Sequence, residues 1–286
     1  MSVVSSSCRR AAEQRQPRMG AHAELAGRVA VVTGVTRHAG LGAAIARELV
    51  DAGAGVFTTH FREYDERQTW GVAPNEPESI LAGLGDPCVG FELDLSNPAA
   101  AVDLFNRACA QFGQVDILVN NAAHWEPGGI GQVSSEQLDR HYAVNLRAAM
   151  LLCSEFVRRR RPGVGGRIIN ITSGQNQGPM PGEVAYAVTK AGLDALTLSL
   201  AAEVSRSGVT VNGIDPGPID TGWMTADLRT SLASASPAGR LAEPRDLASV
   251  VRLLCTSAAA DITGRIIRIQ SKSAVENLKK ELADER

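Results

Sequence analysis

The chain repeats one pattern. Short runs that are apolar throughout alternate with longer stretches of helical spacing. The apolar runs are "RVAVVTG" at 28–34, "GVFTTHF" at 55–61, "CVGFELDL" at 88–95, "VDILVNNA" at 115–122, "GRIINITS" at 166–173, "VTVNGIDPG" at 209–217 and "GRIIRIQ" at 264–270. A strand wetted on one face alternates apolar and polar residues; these do not, so both faces of their sheet are covered. The helical stretches between them are 41–53, 77–85, 97–113, 134–161, 183–207 and 244–257. In the third, Asn97 is a candidate N-cap and Gly113 the stop. Residues 62–77 read as irregular. Strands joined through helices run parallel, and right-handed crossovers wind such a sheet doubly. The expected fold is therefore α/β: a single-domain, doubly wound, parallel seven-stranded sheet with helices on both faces.

No Pro/Gly/Ser-rich linker divides the pattern, so residues 25–270 read as one domain. Residues 1–24 are Ser/Arg-rich, with Glu13 the only acid before Glu24. A transit peptide has such a composition, but no amphipathic face is evident, and a disordered extension is the reading adopted, with Met19 an alternative start. In the tail, 271–286, Val275, Leu278 and Leu282 share one face of a short amphipathic helix.

Composition excludes several classes. The formal net charge of -2 provides no basic field for nucleic acid or anionic lipid. Aromatics at 4% leave few stacking platforms for bases. The four arginines at 158–161 read as a helix end, where cations complement the dipole. No apolar run reaches the ~18 residues of a membrane span. The five cysteines include no CxxC, which fits a reducing compartment and a cytoplasmic location.

Ligands of a doubly wound sheet bind outside the carboxyl ends of its strands. The first such end carries "TGVTRHAGLGAAIA". Gly34, Gly40 and Gly42 there permit a tight turn and close approach, and the next helix offers free N–H groups to a phosphate. Three glycines also serve ordinary turns; their place between the first strand and the first helix points to a nucleotide. At the end of strand two, NAD-preferring folds often carry an acid for the ribose hydroxyl. That position is His60, with Arg62 close behind and Arg37 and His38 in the glycine loop. Arginine pairs bidentately with phosphate, so NADP(H) is the expected cofactor and NAD(H) the alternative.

Tyr186 lies four residues before Lys190, on the same face of a helix. A nearby ammonium favours phenolate and brings a tyrosine toward acid–base work at neutral pH. Spacing alone leaves an ordinary helix face open. The ordered motifs decide: "TGVTRHAGLG", "NNAA" at 120–123, Asn145 in "YAVNLRA", Ser173 thirteen residues before Tyr186, and "PGPIDT" at 216–221. Together they make the chain similar to the short-chain dehydrogenase/reductase family, of Rossmann fold, over about 25–270. It resembles most the 3-oxoacyl-carrier-protein reductase branch.

The resemblance implies an oxidoreductase moving a hydride between a nicotinamide and a small carbonyl or alcohol. Tyr186 would be the acid–base, Ser173 would hold the substrate oxygen, Lys190 would lower the tyrosine pKa and grip the ribose, and Asn145 would support a relay water. Cofactor contacts would come from Gly34, Thr36, Arg37, Gly40, Leu41, Gly42, Arg62, Asp94, Leu95, Asn120, Asn121, Ala122, Tyr186, Lys190, Pro216, Gly217, Ile219 and Thr221. Asp94 corresponds to the family's adenine contact. Residues facing the substrate would include His124, Glu126, Gln175, Asn176, Gln177, Met180, Trp223 and Met224. His124 and Glu126 are too sparse for a metal site. A homodimer or homotetramer built through the stretches 134–161 and 183–207 is expected. Where the family has a Gly-Gly segment after strand seven, this chain has "SKSAVENLKKELADER". The competing reading is a nicotinamide-sensing binding protein of the same fold.

Overall fold

Short β-branched runs become strands because their side chains pack on both faces of a pleated sheet. In the computed structural model, which describes residues 23–160, 165–236 and 238–269, these are β1 (Val29–Val32), β2 (Gly55–His60), β3 (Cys88–Glu92), β4 (Ile117–Asn120), β5 (Gly166–Ile171), β6 (Val209–Asp215) and β7 (Arg265–Arg268). They form one sheet in the order β3-β2-β1-β4-β5-β6-β7, and every neighbouring pair is parallel. The order reverses between β1 and β4, which opens a crevice at their carboxyl ends.

The helices are α1 (Leu41–Asp51), α2 (Arg62–Glu66), α3 (Glu76–Leu84), α4 (Ala100–Phe112), α5 (Ser135–His141), α6 (Ala149–Arg159), α7 (Val184–Val204), α8 (Ala226–Ala235) and α9 (Pro244–Cys255). Alternation along β1 sorts the two cores. Ala30 and Val32 face Ile45, Leu49, Ile80, Leu247 and Val251 of α1, α3 and α9. Val31 faces the other way, toward Leu104, Phe105, Leu152, Phe156 and Val204 of α4, α6 and α7. None of the described helices is long and apolar enough to cross a membrane.

Four local expectations differ from the structure. Residues 62–66, read as irregular, form α2, and α8 was not expected at all. The N-cap of α4 is Ala99, because the Asn97 side chain accepts from the Ala99 N–H at 2.9 Å and makes a turn instead. The long stretch 134–161 is two α-helices joined by a π-helical segment, Tyr142–Ala148. The extension 1–22, Arg161 and the tail from 270 lie outside the described residues.

Of the arginine run, Arg158 and Arg159 pair with Glu155 at 2.9 and 2.8 Å. Arg160 turns inward, donating to the Val115 carbonyl at 2.8 Å and lying 5.1 Å from the Phe156 ring. Phe156 is fully buried and packs edge-on to Phe105. Replacing Phe156 by Ala should therefore lower stability by about 3–5 kcal/mol, read from urea unfolding.

Candidate active site

Ser173 follows β5 and Tyr186 and Lys190 lie on the first turns of α7, so sheet and helix together fix their approach. The Ser173 hydroxyl favours the ionised form of the Tyr186 phenol. Lys190 is 2% exposed; its Nζ donates to the Ile171 carbonyl at 2.8 Å and sits 5.6 Å from the Tyr186 ring centroid. Burial pushes the tyrosine up to about 12, against the lowering effect of Ser173 and with help from Glu183 and Asp215. Burial also pulls the lysine down to about 8, with Asp194 opposing. This corrects the sequence expectation that Lys190 lowers the tyrosine pKa. In the folded chain desolvation dominates, and the charges that act on the phenol, those of Glu183 and Asp215, raise it further.

Asn145 lies in the π-helical segment, an irregularity frequent at functional sites. It is 1% exposed. Its Oδ1 accepts from the His124 N–H at 2.7 Å, and its Nδ2 donates to the His124 carbonyl at 2.9 Å and to Thr189 Oγ1 at 3.1 Å. The asparagine thus mimics a peptide unit and pins the loop after β4.

A cleft of about 1290 Å³ runs along the carboxyl ends of the strands. Ser173, Tyr186, Gly34, Thr36, Arg37, Gly40, Leu41, Asp94, Leu95, Asn121, Ala122, Pro216, Gly217, Ile219 and Thr221 line it. The glycine loop fits a phosphate. Gly34 has φ +75°, and a Cβ there would stand 2.8 Å from Ala122 Cα. Gly42 lies beneath the loop rather than on the cleft; a Cβ there would stand 2.3 Å from the Gly34 carbonyl oxygen. The N-cap of α1 is Gly40, with no side-chain cap and no acid in the first turn, so its orphan N–H groups remain for an anion.

Thr33 Oγ1 accepts from the N–H groups of Asn121 and Ala122 at 3.0 and 3.1 Å. The Asn121 amide returns to the carbonyls of Thr33 and Gly34 at 2.8 and 3.1 Å. Asn120 and Lys190 do not line the cleft. The Asn120 amide goes to Asn170 Oδ1 at 2.8 Å and Cys153 Sγ at 3.4 Å, an anchor within the sheet. The Asp94 carboxylate accepts from the N–H and hydroxyl of Ser96 at 2.8 and 2.7 Å.

The three basic groups part company. Arg62 does not line the cleft: its guanidinium reaches Glu78 and Glu92, each at 3.4 Å. Opposite charges on α3 and β3 draw it away. Arg37 does line the cleft, but it is engaged, with Nε on Asp65 Oδ1 at 2.9 Å and NH1 on the Thr221 carbonyl at 2.8 Å. His60 is 6% exposed on the cleft wall, and burial lowers its pKa, which keeps it neutral.

At the other end the cleft is lined by His124, Trp125, Glu126, Gln177, Met180 and Trp223. Gln175 and Asn176 instead turn to Asp194, and Met224 is buried. Arg140 clamps Glu126 through two hydrogen bonds of 3.1 and 2.8 Å, and His124 Nε2 lies 3.1 Å from the same carboxylate. No group of three metal-ligating side chains occurs among the described residues. Sequence reasoning missed Tyr64, Asp65, Trp70, Asp215 and Arg268, all on the cleft. The available signal was two large aromatics in "YDERQTW", a stretch too polar to be core.

The chain is similar to known proteins over most of its length. A family model described as enoyl-(acyl carrier protein) reductase matches residues 34–271. The uncharacterized oxidoreductase YjdA of Bacillus subtilis is 39% identical over 84% of this chain and 94% of its own. The 3-oxoacyl-[acyl-carrier-protein] reductase FabG of Vibrio cholerae is 35% identical over 86% of this chain and 96% of its own. Among solved structures, a short chain dehydrogenase from Burkholderia cenocepacia in complex with NADP aligns with a TM-score of 0.77. It is 28% identical, covering 88% of this chain and 99% of that one.

The lysine pKa has a consequence for stability. Between pH 8 and 10.5 an unfolded chain keeps a proton that folded Lys190 has lost. From this group, stability rises with pH across that window, and the cost of burial is present in full below it. The stability of Lys190→Met minus that of the wild type should therefore fall as pH rises from 8 toward 10.5, measured by urea unfolding at each pH.

Proposed function

Because the chain belongs to the short-chain dehydrogenase/reductase family and is an NAD(P)-dependent oxidoreductase, we propose that it interconverts a carbonyl and an alcohol with Tyr186 as acid–base. The observation that carries this reading is that Ser173 and Tyr186 share the wall of a cleft that begins at the glycine loop. When bound, the nicotinamide supplies or accepts the hydride. The glycine loop and the first turn of α1 would hold its pyrophosphate, Asp94 and Leu95 would flank the adenine, and Pro216 to Thr221 would cover the nicotinamide end.

The chain's own groups handle the proton. Burial keeps Tyr186 protonated at neutral pH, so it holds the proton that a carbonyl oxygen would take. It gives its proton to the substrate oxygen while Ser173 hydrogen-bonds the same oxygen as charge develops there. Lys190, with its pKa at about 8, is mostly charged at neutral pH and loses its proton just above it, so it suits a relay that restores the tyrosine. Asn145 holds the His124 backbone at the edge of that relay.

NADP(H) is the preferred cofactor in this reading. His60 stands where an acid would select NAD, and Arg37 offers the cleft a guanidinium. The Burkholderia relative carries NADP. Arg62 drops out of this role. A homodimer or homotetramer is supported by Leu138, Tyr142, Met150, Val188 and Leu198, which are exposed on α5, the π-helical segment, α6 and α7.

Calorimetric titration with NADPH and with NADH tests the cofactor. Tighter NADPH binding is expected, and an NADH preference refutes this assignment. Replacing Tyr186 by Phe should cut kcat by about 10²–10⁴ with NADPH affinity retained. Undiminished turnover would remove Tyr186 from the chemistry.

A further inference from the structure

Residues 62–70, α2 and the turn that follows it, leave the end of β2 and are tied to loops on the far side of the crevice. The Tyr64 hydroxyl accepts from the Trp125 N–H at 3.1 Å and donates to the Trp125 carbonyl at 3.4 Å. The Tyr64 ring lies 5.3 Å from that of His124. Asp65, only 7% exposed, accepts from Arg37 Nε and from Trp70 Nε1, each at 2.9 Å. Arg37 lies 5.2 Å from the Trp70 ring and donates onward to the Thr221 carbonyl. One short segment thus engages the loops after β1, β4 and β6. All of Tyr64, Asp65, Trp70, Arg37, Trp125 and Thr221 line the cleft.

These contacts join two ends of the site. Arg37 belongs to the glycine loop. Trp125 follows His124, whose backbone Asn145 grips on both sides. A ligand lying along the strand ends from Asp94 to Tyr186 would pass beneath the segment. Surface connections between a strand and a helix seldom bury a carboxylate; here a guanidinium and an indole N–H satisfy it, which marks a built contact and not a stray loop.

We propose that residues 62–70 are a strap that closes over the bound dinucleotide, and that Tyr64 is a positioning residue setting the 123–127 loop at the substrate end. The proposal rests on the dinucleotide reading of the cleft. Release of the cofactor then requires the Arg37–Asp65 and Tyr64–Trp125 contacts to open.

The test uses the full chain and NADPH. Tyr64→Phe removes both hydrogen bonds and keeps the ring; Asp65→Asn removes the charge and keeps the shape. Dissociation of NADPH is followed by stopped-flow fluorescence on displacement with excess NADP. Each variant should release NADPH about tenfold faster, the effect of losing ~1.4 kcal/mol, while the exposed Glu66→Ala leaves the rate unchanged. Hydrogen exchange of the wild type should slow in 62–70 and 123–127 when NADPH is added, and Tyr64→Phe should weaken the slowing in 123–127. Release within twofold of wild type in both variants, or no NADPH-dependent protection of 62–70 in the wild type, overturns the strap alone. A wild-type chain that binds neither NADPH nor NADH overturns the dinucleotide reading and the strap with it.

Discussion

The hydrogen bonds between Thr33 and Asn121 hold together the one place where the sheet's connections diverge. At the ends of β1 and β4 the chain departs toward opposite faces, which leaves a gap that backbone pairing cannot fill. The Asn121 amide bonds the Thr33 and Gly34 carbonyls, and the Thr33 hydroxyl takes the returning N–H groups. With that seam closed, the glycine loop is held in its turn, α1 points its N-terminus into the cleft, and the loop after β4 starts from a defined position. The catalytic groups inherit that position, since Asn145 reaches the same loop two residues beyond Ala122.

Electrostatics at the centre run against simple intuition about a tyrosine beside a lysine. Both side chains are taken out of water, and both respond by resisting charge. The phenol and the ammonium, nearly equal in acidity as free tyrosine and lysine, are thereby driven apart to about 12 and about 8, in reversed order. At neutral pH the stable arrangement is a neutral phenol above a cation. Such a pair is poor for holding the fold together, because a buried cation with one carbonyl partner is expensive. Its retention is an argument about chemistry and not about stability.

Much of this was legible in the chain itself. Strands announce themselves because a buried strand is mostly apolar on both faces, as β1 and β4 are; β5 and β6 keep enough Ile and Val to read the same way despite buried Asn170, Thr210 and Asn212. The glycine loop was visible from its place between a strand and a helix, and Tyr186 and Lys190 from one helical turn, while Ser173 and Asn145 were named only through the resemblance to the family. Arg37, Arg62 and Asn120 were legible only as residue types. Their directions depend on partners 28, 30 and 50 residues away, Asp65, Glu92 and Asn170, and no local periodicity encodes those choices. The same holds for α2, whose polar sequence lacks an apolar stripe and whose order comes from contacts with other loops. The π-helical segment was hidden for a different reason. Its residues follow the helical pattern of their neighbours, and no local periodicity separates an i to i+5 bond from an i to i+4 bond.

That segment makes the helix resemble a screw whose thread changes pitch once, at the active site. An α-helix turns about 100° per residue. A stretch bonded i to i+5 accommodates one residue beyond the α-helical count. Everything on its N-terminal side, from Ser135 to His141, is therefore indexed differently against the cleft from everything on its C-terminal side. Gaining or losing a single residue there would rotate the rim that carries Gln137, Arg140 and His141 against α7, on which Asn145 rests, without touching the sheet or the glycine loop. The fold carries, in effect, a one-residue dial that re-aims the substrate rim independently of the cofactor groove.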